Sequence, residues 1–134
     1  MSINRDLDTI LKNSHTVAII GLSDSPAKAS YQVAKYLQTA GYKIYPVNPK
    51  YDTILGSRCY ASLQDIGVPI DIVNIFRRPE HVLPIVEDAV EIGAQVVWMQ
   101  LGIINMEAAI LAEKAGLKVI MDRCMKIEHQ HLSR

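Results

Sequence analysis

The fold of this chain is decided by the stretch TVAIIGLSDSPAKASYQVAKYLQTAGYKIYPVNPK, residues 16–50. Its residues 17–20 form a short apolar run that ends at Gly21, which is typical of a buried parallel strand. In residues 31–40 the apolar side chains recur at the helical spacing of about 3.6 residues. A second β-rich run covers residues 43–47. The stretch therefore predicts a strand–helix–strand unit with parallel strands.

The loop of this unit, residues 22–30, lies where open α/β sheets bind their ligands. A helix that starts there offers free backbone N–H groups and the positive end of its dipole to an anion, usually a phosphate. Ser23, Ser25, Ser30 and Lys28 suit a phosphate, but they equally suit helix capping and a solvated lysine. The loop alone leaves both interpretations open.

The composition is that of an ordinary globular protein. The 134 residues predict a single domain, residues 1–134, and 49% of them are hydrophobic while 21% are charged. Fourteen basic residues balance 14 acidic ones, so there is no basic excess for nucleic acid. No apolar run approaches the roughly 18 residues of a membrane span, and the N-terminus lacks the apolar core of a signal peptide. We therefore expect a cytoplasmic protein whose two cysteines are free thiols.

The rest of the chain continues the alternation of strands and helices. A leading helix is predicted within residues 1–13, a polar tail with at most one helical turn over 122–134, and a loop with a short strand at Cys59–Tyr60 over 51–60. The alternation predicts a Rossmann-like, doubly wound parallel sheet of five or six strands with helices on both faces. The further predicted strands are 70–76, 94–99 and 117–121, and the further predicted helices are 62–66, about 80–92 and 105–114.

The first loop differs from the fingerprint of dinucleotide-binding proteins, Gly-x-Gly-x-x-Gly. Gly21 matches the first glycine, but Ser23 and Pro26 replace the other two. The acid that binds the ribose of NAD should follow the second strand, where the chain instead has Asn48-Pro49-Lys50. Two independent features, the missing glycines and the missing acid, therefore disfavour NAD as the ligand.

Several separate motifs, taken together and in order, make the chain similar to a known family. The first unit is followed in order by LGSRCYASLQDI, NIFRRPE, WMQLGI and MDRCM. With these motifs the chain resembles, over roughly residues 14–132, the family of small stand-alone coenzyme A-binding domains. That family is similar to the nucleotide-binding domain of the succinyl-CoA synthetase α subunit. The resemblance implies a Rossmann-type domain that binds coenzyme A, and it does not imply catalysis.

The resemblance also implies which residues contact coenzyme A. From the residues themselves, Lys28, Lys50 and Arg77 are expected at the carboxyl ends of strands on one rim, within reach of the pyrophosphate and the 3′-phosphate. The residues onto which the family's contact segments fall are Gly21, Ser23, Lys28, Ser30, Asn48, Pro49, Lys50, Phe76, Arg77, Gln100, Arg123 and Cys124. Phe76 suits stacking on adenine, although a strand-end phenylalanine is more often part of a core.

Three functions stay open at this stage: a coenzyme A-binding module, a small acyl-CoA-dependent enzyme or regulatory subunit, and, disfavoured, an NAD(P)-binding domain. Cys124 is either a packing residue or a thiol that meets the thiol of coenzyme A and, under oxidising conditions, forms a mixed disulfide with it. His129 and His131 with Glu128 are expected to be solvated rather than to bind a metal. We expect a small-molecule ligand, no nucleic acid and no membrane, and the oligomeric state is left open. Replacement of Gly21 by valine is expected to abolish binding with a modest effect on folding.

Overall fold

The computed structural model of the chain describes residues 2–132. The strands along the chain are β1 (Thr16–Ile20), β2 (Lys43–Val47), β3 (Thr53–Ile54), β4 (Ser57–Arg58), β5 (Ile72–Ile75), β6 (Val96–Met99) and β7 (Lys118–Met121). The helices are α1 (Leu7–Asn13), α2 (Ala29–Thr39), α3 (Val82–Glu91), α4 (Met106–Lys114) and α5 (Met125–Gln130). Short 3-10 turns lie at Leu63–Asp65 and Pro79–His81.

Five of the strands form one parallel sheet in the order β2-β1-β5-β6-β7. The chain first steps from β1 to β2 on one side and then returns to place β5 on the other side of β1. The strand order thus reverses between β1 and β5, and this switch point is where doubly wound sheets bind their ligands. The predicted doubly wound parallel sheet is confirmed.

Helices cover both faces of the sheet. One apolar core joins alternate sheet residues, among them Ala18, Val73 and Val97, to α3 and α4. The other core joins residues of the opposite face, among them Ile19 and Trp98, to α1, α2 and α5. Because both faces are covered, the strands are apolar throughout instead of alternating, as their sequences predicted.

The N-terminal segment differs from the prediction. The helix begins at Leu7, because the residues before it pair with the free edge of β7. The backbone N–H of Asn4 donates to the Val119 carbonyl at 2.9 Å, and the Asn4 side chain forms hydrogen bonds of 3.0 and 2.6 Å with the backbone of Met121. The segment therefore covers an edge strand that would otherwise expose unpaired backbone groups.

The segment predicted as a loop, residues 51–60, contains a small hairpin made of β3 and β4. Leu55 and Gly56 connect the two strands, and both have positive φ angles, 53° and 73°. Two residues with positive φ are what a type I′ hairpin turn requires. The predicted strand at Cys59–Tyr60 is reduced to a single bridge between Tyr60 and Val47.

The C-terminal segment is more ordered than the predicted polar tail. It forms α5, which begins at the fully buried Met125 and packs beside α1 and α2. The indole N–H of Trp98 donates to the Arg123 carbonyl at 2.9 Å and fixes the chain just before this helix. Residues 133 and 134 of the predicted tail lie outside the described residues. Within residues 2–132, no helix is long and apolar enough to cross a membrane.

Gly21 occupies the most crowded turn of the structure. Its φ angle is +83°, and a Cβ atom added there would lie 2.3 Å from the Phe76 carbonyl oxygen and 2.9 Å from Cδ of Arg77. The carbonyl belongs to the backbone just after β5, which is held by a 2.9 Å hydrogen bond from the Phe76 N–H to the Ile20 carbonyl. The expectation that Gly21→Val has only a modest effect on folding is therefore wrong.

We predict that Gly21→Ala lowers the free energy of unfolding by about 3–5 kcal/mol, because the strand ends must separate to admit the methyl group. Gly93→Ala is the matched control, since Gly93 has a φ of +75° but no neighbour within 4 Å of an added Cβ. Its cost is the backbone strain alone, about 1–2 kcal/mol. Urea unfolding of both variants measures the difference, and equal losses would contradict the role given to the Phe76 carbonyl.

Candidate functional site

The candidate site is the crevice at the switch point, between the loop after β1 and the loop after β5. Gly21 brings the two loops together, since its backbone lies against Phe76 and Arg77. The Gly21 N–H also donates to the Val47 carbonyl at 3.1 Å, which attaches the same turn to the end of β2. The carboxyl ends of three neighbouring strands, β2, β1 and β5, thus meet around one glycine.

Hydrogen bonds of two serines shape the loop after β1. The Ser23 N–H donates to Oγ of the buried Ser30 at 3.0 Å, and the Ser25 N–H donates to Oγ of Ser23 at 3.0 Å. The Lys28 N–H donates to the Ser25 carbonyl at 3.0 Å. These bonds fold the loop back onto the first turn of α2, so both predicted serines hold backbone in place.

The loop leads into an open helix N-terminus. The N-cap position of α2 is Lys28, and none of the side chains that the structure describes caps this helix. Its first turn also contains no acidic residue. The backbone N–H groups of the first turn and the positive end of the helix dipole are therefore not paired with an acidic side chain of the helix itself.

Asn48 joins the loop after β2 to the loop after β1. Its Nδ2 donates to the Leu22 carbonyl at 3.1 Å, while its Oδ1 accepts from the Lys50 N–H at 3.0 Å. Its backbone carbonyl accepts a hydrogen bond from Sγ of the buried Cys59 at 3.3 Å. Both ends of the predicted ligand-binding amide are thus engaged within the protein.

We predict that Asn48→Ala lowers the free energy of unfolding by about 1–3 kcal/mol, because the loss of two hydrogen bonds leaves the Leu22 carbonyl and the Lys50 N–H without partners. Asn13→Ala serves as control, since Asn13 is exposed at the end of α1. Chemical denaturation of both variants checks this, and an unchanged stability of Asn48→Ala would contradict the structural role of the amide.

The loop after Asn48 exposes one basic side chain, that of Lys50, to solvent. Lys50 and Pro49 are exposed, and the loop continues to Tyr51. The carboxylate of Asp24 beside Tyr51 raises the pKa of the tyrosine, so the loops after β1 and β2 lie next to each other. Arg77 is exposed on the far side.

A cavity of about 370 Å³ opens beside this rim. Pro49 and Arg77 line it together with the ends of β1 and β2, and His81 and Asp88 belong to its α3 side. The structure thus brings Pro49 and Arg77, which are distant in sequence, to one concave surface.

Gln100 is placed differently from the other predicted residues. It is buried, and its Oε1 accepts hydrogen bonds from Nδ2 of Asn74 at 3.2 Å and from the Met125 N–H at 3.0 Å. Gln100 therefore holds the first residue of α5 against the sheet. Sequence reasoning missed Asn74, although a single amide inside the apolar strand IDIVNIF was a signal of a buried polar contact. Oδ1 of Asn74 has no hydrogen-bond partner within the described part of the chain.

We predict that Gln100→Leu lowers the free energy of unfolding by about 2–3 kcal/mol, because it leaves the buried Met125 N–H without an acceptor. Gln95→Leu is the control, since Gln95 is exposed at the start of β6. Thermal and urea unfolding of both variants test this, and comparable stabilities would show that the buried amide contributes little.

Phe76 and Cys124 both pack against the core under α1, α2 and α5, and both are half-buried. Cys124 is the N-cap residue of α5, and the neighbouring Arg123 N–H donates to the Met99 carbonyl at 3.4 Å. The chain after β7 is therefore drawn back toward the end of β6. Cys59, in contrast, is buried, and burial raises the pKa of its thiol.

The histidine pair of the C-terminal segment is not simply solvated. Nδ1 of His129 lies 2.7 Å from the Tyr36 hydroxyl, and its ring packs edge-on against Tyr36 and Tyr42. His129 thus attaches α5 to α2. Across residues 2–132, no three His, Cys, Asp or Glu side chains form a group that could hold a metal ion.

Another cavity lies at the opposite edge of the sheet. It measures about 560 Å³, and Asn13, Gly93, Gln95, Gly116 and Lys118 are among its lining residues. These positions surround the amino ends of β6 and β7. None of the predicted site residues lies there, and doubly wound sheets bind ligands at the carboxyl edge.

Comparison with known proteins points to one family. A family model described as "CoA binding domain" matches residues 15–130. An uncharacterised protein of Bacillus subtilis, YneT, is 44% identical over 124 residues, which cover 92% of each chain. The structure is similar to that of a hypothetical protein from Pyrococcus horikoshii, with a TM-score of 0.92, 42% identity, and coverage of 95% of this chain and 89% of the other.

Larger enzymes share the same region. The acetate–CoA ligase (ADP-forming) of Methanocaldococcus jannaschii is 32% identical over 127 residues. That match covers 88% of this chain but only 18% of the ligase. The chain thus spans less than a fifth of that enzyme.

Proposed function

Because the chain belongs to the CoA binding domain family, we propose that it binds coenzyme A, free or acylated, in the crevice between β1 and β5. One observation carries this proposal. The Gly21 turn lies against Cδ of Arg77, so the arginine side chain starts next to the loop that leads into the uncapped N-terminus of α2. In our proposal the backbone N–H groups of that helix and the Arg77 guanidinium bind the same anionic ligand.

The residues around the crevice fit the charges of coenzyme A. In our proposal the pyrophosphate binds the backbone N–H groups at the start of α2, with Lys28 beside it. Lys50 and Arg77 are exposed on the two sides of the crevice and are the candidates for the 3′-phosphate. The cavity that Pro49 and Arg77 line offers room for another part of the nucleotide.

Ser23, Ser30 and Asn48 enter the proposal as positioning residues rather than as direct ligands. Their side chains hold the loops after β1 and β2, and Gln100 likewise holds α5. Gly21 permits the close contact of the strand ends. The residues proposed to touch the ligand are therefore Lys28, Pro49, Lys50 and Arg77, with Phe76 and Cys124 at the margin.

An NAD(P) domain is the weaker alternative. NAD-binding domains of this type place a carboxylate after the second strand to bind the ribose. Here that position is Asn48, whose side chain is already bonded to the Leu22 carbonyl and the Lys50 N–H. A small acyl-CoA-dependent enzyme or regulatory subunit is the other alternative, and it would need chemistry from Cys124 or from a partner chain. A cytoplasmic location stays a prediction.

We predict that Lys50→Ala or Arg77→Ala weakens binding of coenzyme A about ten- to a hundredfold, because each removes a charge-assisted contact. If the lost contact is to the 3′-phosphate, the loss for dephospho-coenzyme A is much smaller. Isothermal titration calorimetry with both ligands measures this. Lys12→Ala at the end of α1 is the control and is expected to bind as the unaltered protein does.

The same calorimetry with NAD and NADP separates the two nucleotide classes. We expect heat of binding for coenzyme A and none for the dinucleotides. Tight binding of NAD without binding of coenzyme A would overturn the proposal.

A further inference from the structure

An apolar patch lies on the rim that also carries the proposed site. Among residues 2–132 six large hydrophobic side chains are exposed, and four of them lie within residues 101–110. These four, Leu101, Ile104, Met106 and Ile110, are 65%, 50%, 43% and 40% exposed, and we call them the rim patch. Single exposed apolar residues are normal, but a cluster of them marks a site of interaction.

The loop after β6, which carries Leu101 and Ile104 of the rim patch, is held in place at both ends. The Gly102 N–H donates to Oδ1 of Asp122 at 2.7 Å, and the Ile103 N–H donates to the Gln100 carbonyl at 2.9 Å. Asn105 caps α4 by accepting from the Ala108 N–H at 2.9 Å. The exposed side chains are therefore presented by a fixed backbone.

Packing of the fold does not require these side chains. Helix α4 packs against the core through one side, which consists of Ala108, Ala109 and Ala112. Met106 and Ile110 project from the same helix into solvent. An exposed helix surface of this kind is ordinarily polar, so its apolar character calls for a ligand or a partner.

The loop that carries Leu101 and Ile104 lies next to one loop of the proposed site. Nδ2 of Asn105 donates to the Pro79 carbonyl at 2.9 Å, and Pro79 follows Arg77 by two residues. The loop after β6 therefore touches the loop after β5. From the β1 end, the β6 end is two strands away in the sheet order, about 10 Å at the usual strand spacing.

We infer that the rim patch receives the acyl chain of a coenzyme A thioester, so that the preferred ligand is an aliphatic acyl-CoA. This inference rests on the proposed function. With the phosphates at the β1–β5 crevice, the pantetheine arm, on the order of ten extended bonds, is long enough to cross the ends of β5 and β6. Its thioester end then lies at Leu101 and Ile104, where an aliphatic chain covers apolar surface.

The size of the rim patch favours an acyl chain over a second protein. Each partner in a stable protein interface contributes roughly 800 Å². Four half-exposed side chains supply much less surface area than that. The same area is enough to cover one side of a chain of several methylene groups. The neighbouring loop residues Gly102, Ile103 and Asn105 are uncharged.

The test is isothermal titration calorimetry of the full chain with coenzyme A and its acetyl, butyryl, hexanoyl and octanoyl thioesters. We expect the affinity to rise beyond acetyl by about two- to fourfold for each methylene group that becomes buried. In the double variant Leu101→Ser/Ile104→Ser, octanoyl-CoA should bind no more tightly than acetyl-CoA, with binding of coenzyme A itself unchanged.

The matched control is Val68→Ser/Ile127→Ser, which removes two side chains of similar exposure, 44% and 42%, outside the rim patch. It should keep the full dependence on chain length. Equal loss in the control variant, or an affinity that is independent of chain length in the unaltered protein, would overturn the inference.

The outcomes separate this inference from the proposed function. If coenzyme A binds and the series is flat, only the acyl-chain site fails; if neither coenzyme A nor any thioester binds, the proposed function fails with it. Sedimentation of the same samples tests the other occupant. A dimer that Leu101→Ser/Ile104→Ser dissociates, together with a flat series, would assign the rim patch to a second copy of the chain.

Discussion

The close approach of Gly21 to the Phe76 carbonyl is the constraint on which the rest of the structure depends. Only a residue without a Cβ fits there, since that atom would lie 2.3 Å from the carbonyl oxygen. The approach lets β1 and β5 end at the same level, and it sets Cδ of Arg77 against the first residue of the loop before α2. In our proposal the N-terminus of α2 and Arg77 bind one anionic ligand at this switch point of the sheet.

Side-chain amides hold the other loops around this crevice. Asn48 connects the loops after β1 and β2, while Gln100 and the buried Asn74 fix the start of α5 against the strand ends. The amide oxygens of Asn48 and Gln100 accept hydrogen bonds from the protein, whereas Oδ1 of Asn74 has no partner among the described residues. The cationic side chains of Lys50 and Arg77, in contrast, are exposed. The amides therefore hold the loops in place, and the two cations are accessible to an anionic ligand.

The sheet could be predicted from the sequence because buried parallel strands are continuous apolar runs. The helices between them differ from the strands in that their apolar residues recur about every 3.6 residues. The prediction was weakest where tertiary contacts override local pattern. Ile3 and Asn4 pair with β7 instead of extending the leading helix. Helix α5 forms because the Met125 side chain is buried and the Met125 N–H donates to Oε1 of Gln100. For the candidate site, residue types and their strand-end positions were predictable. Whether an amide such as Asn48 faces a ligand or a neighbouring loop depends on hydrogen-bond geometry, which the sequence does not contain.

The ligand site is tested most directly by NMR, with the backbone amide shifts followed as coenzyme A is added to the full chain. We predict that the largest shifts fall on residues 21–30 and on Arg77, with little change at the amino edge of the sheet. The reverse pattern, in which the largest shifts surround the 560 Å³ cavity at Gly93, Gln95 and Gly116 while Gly21 and Arg77 do not shift, would refute this site.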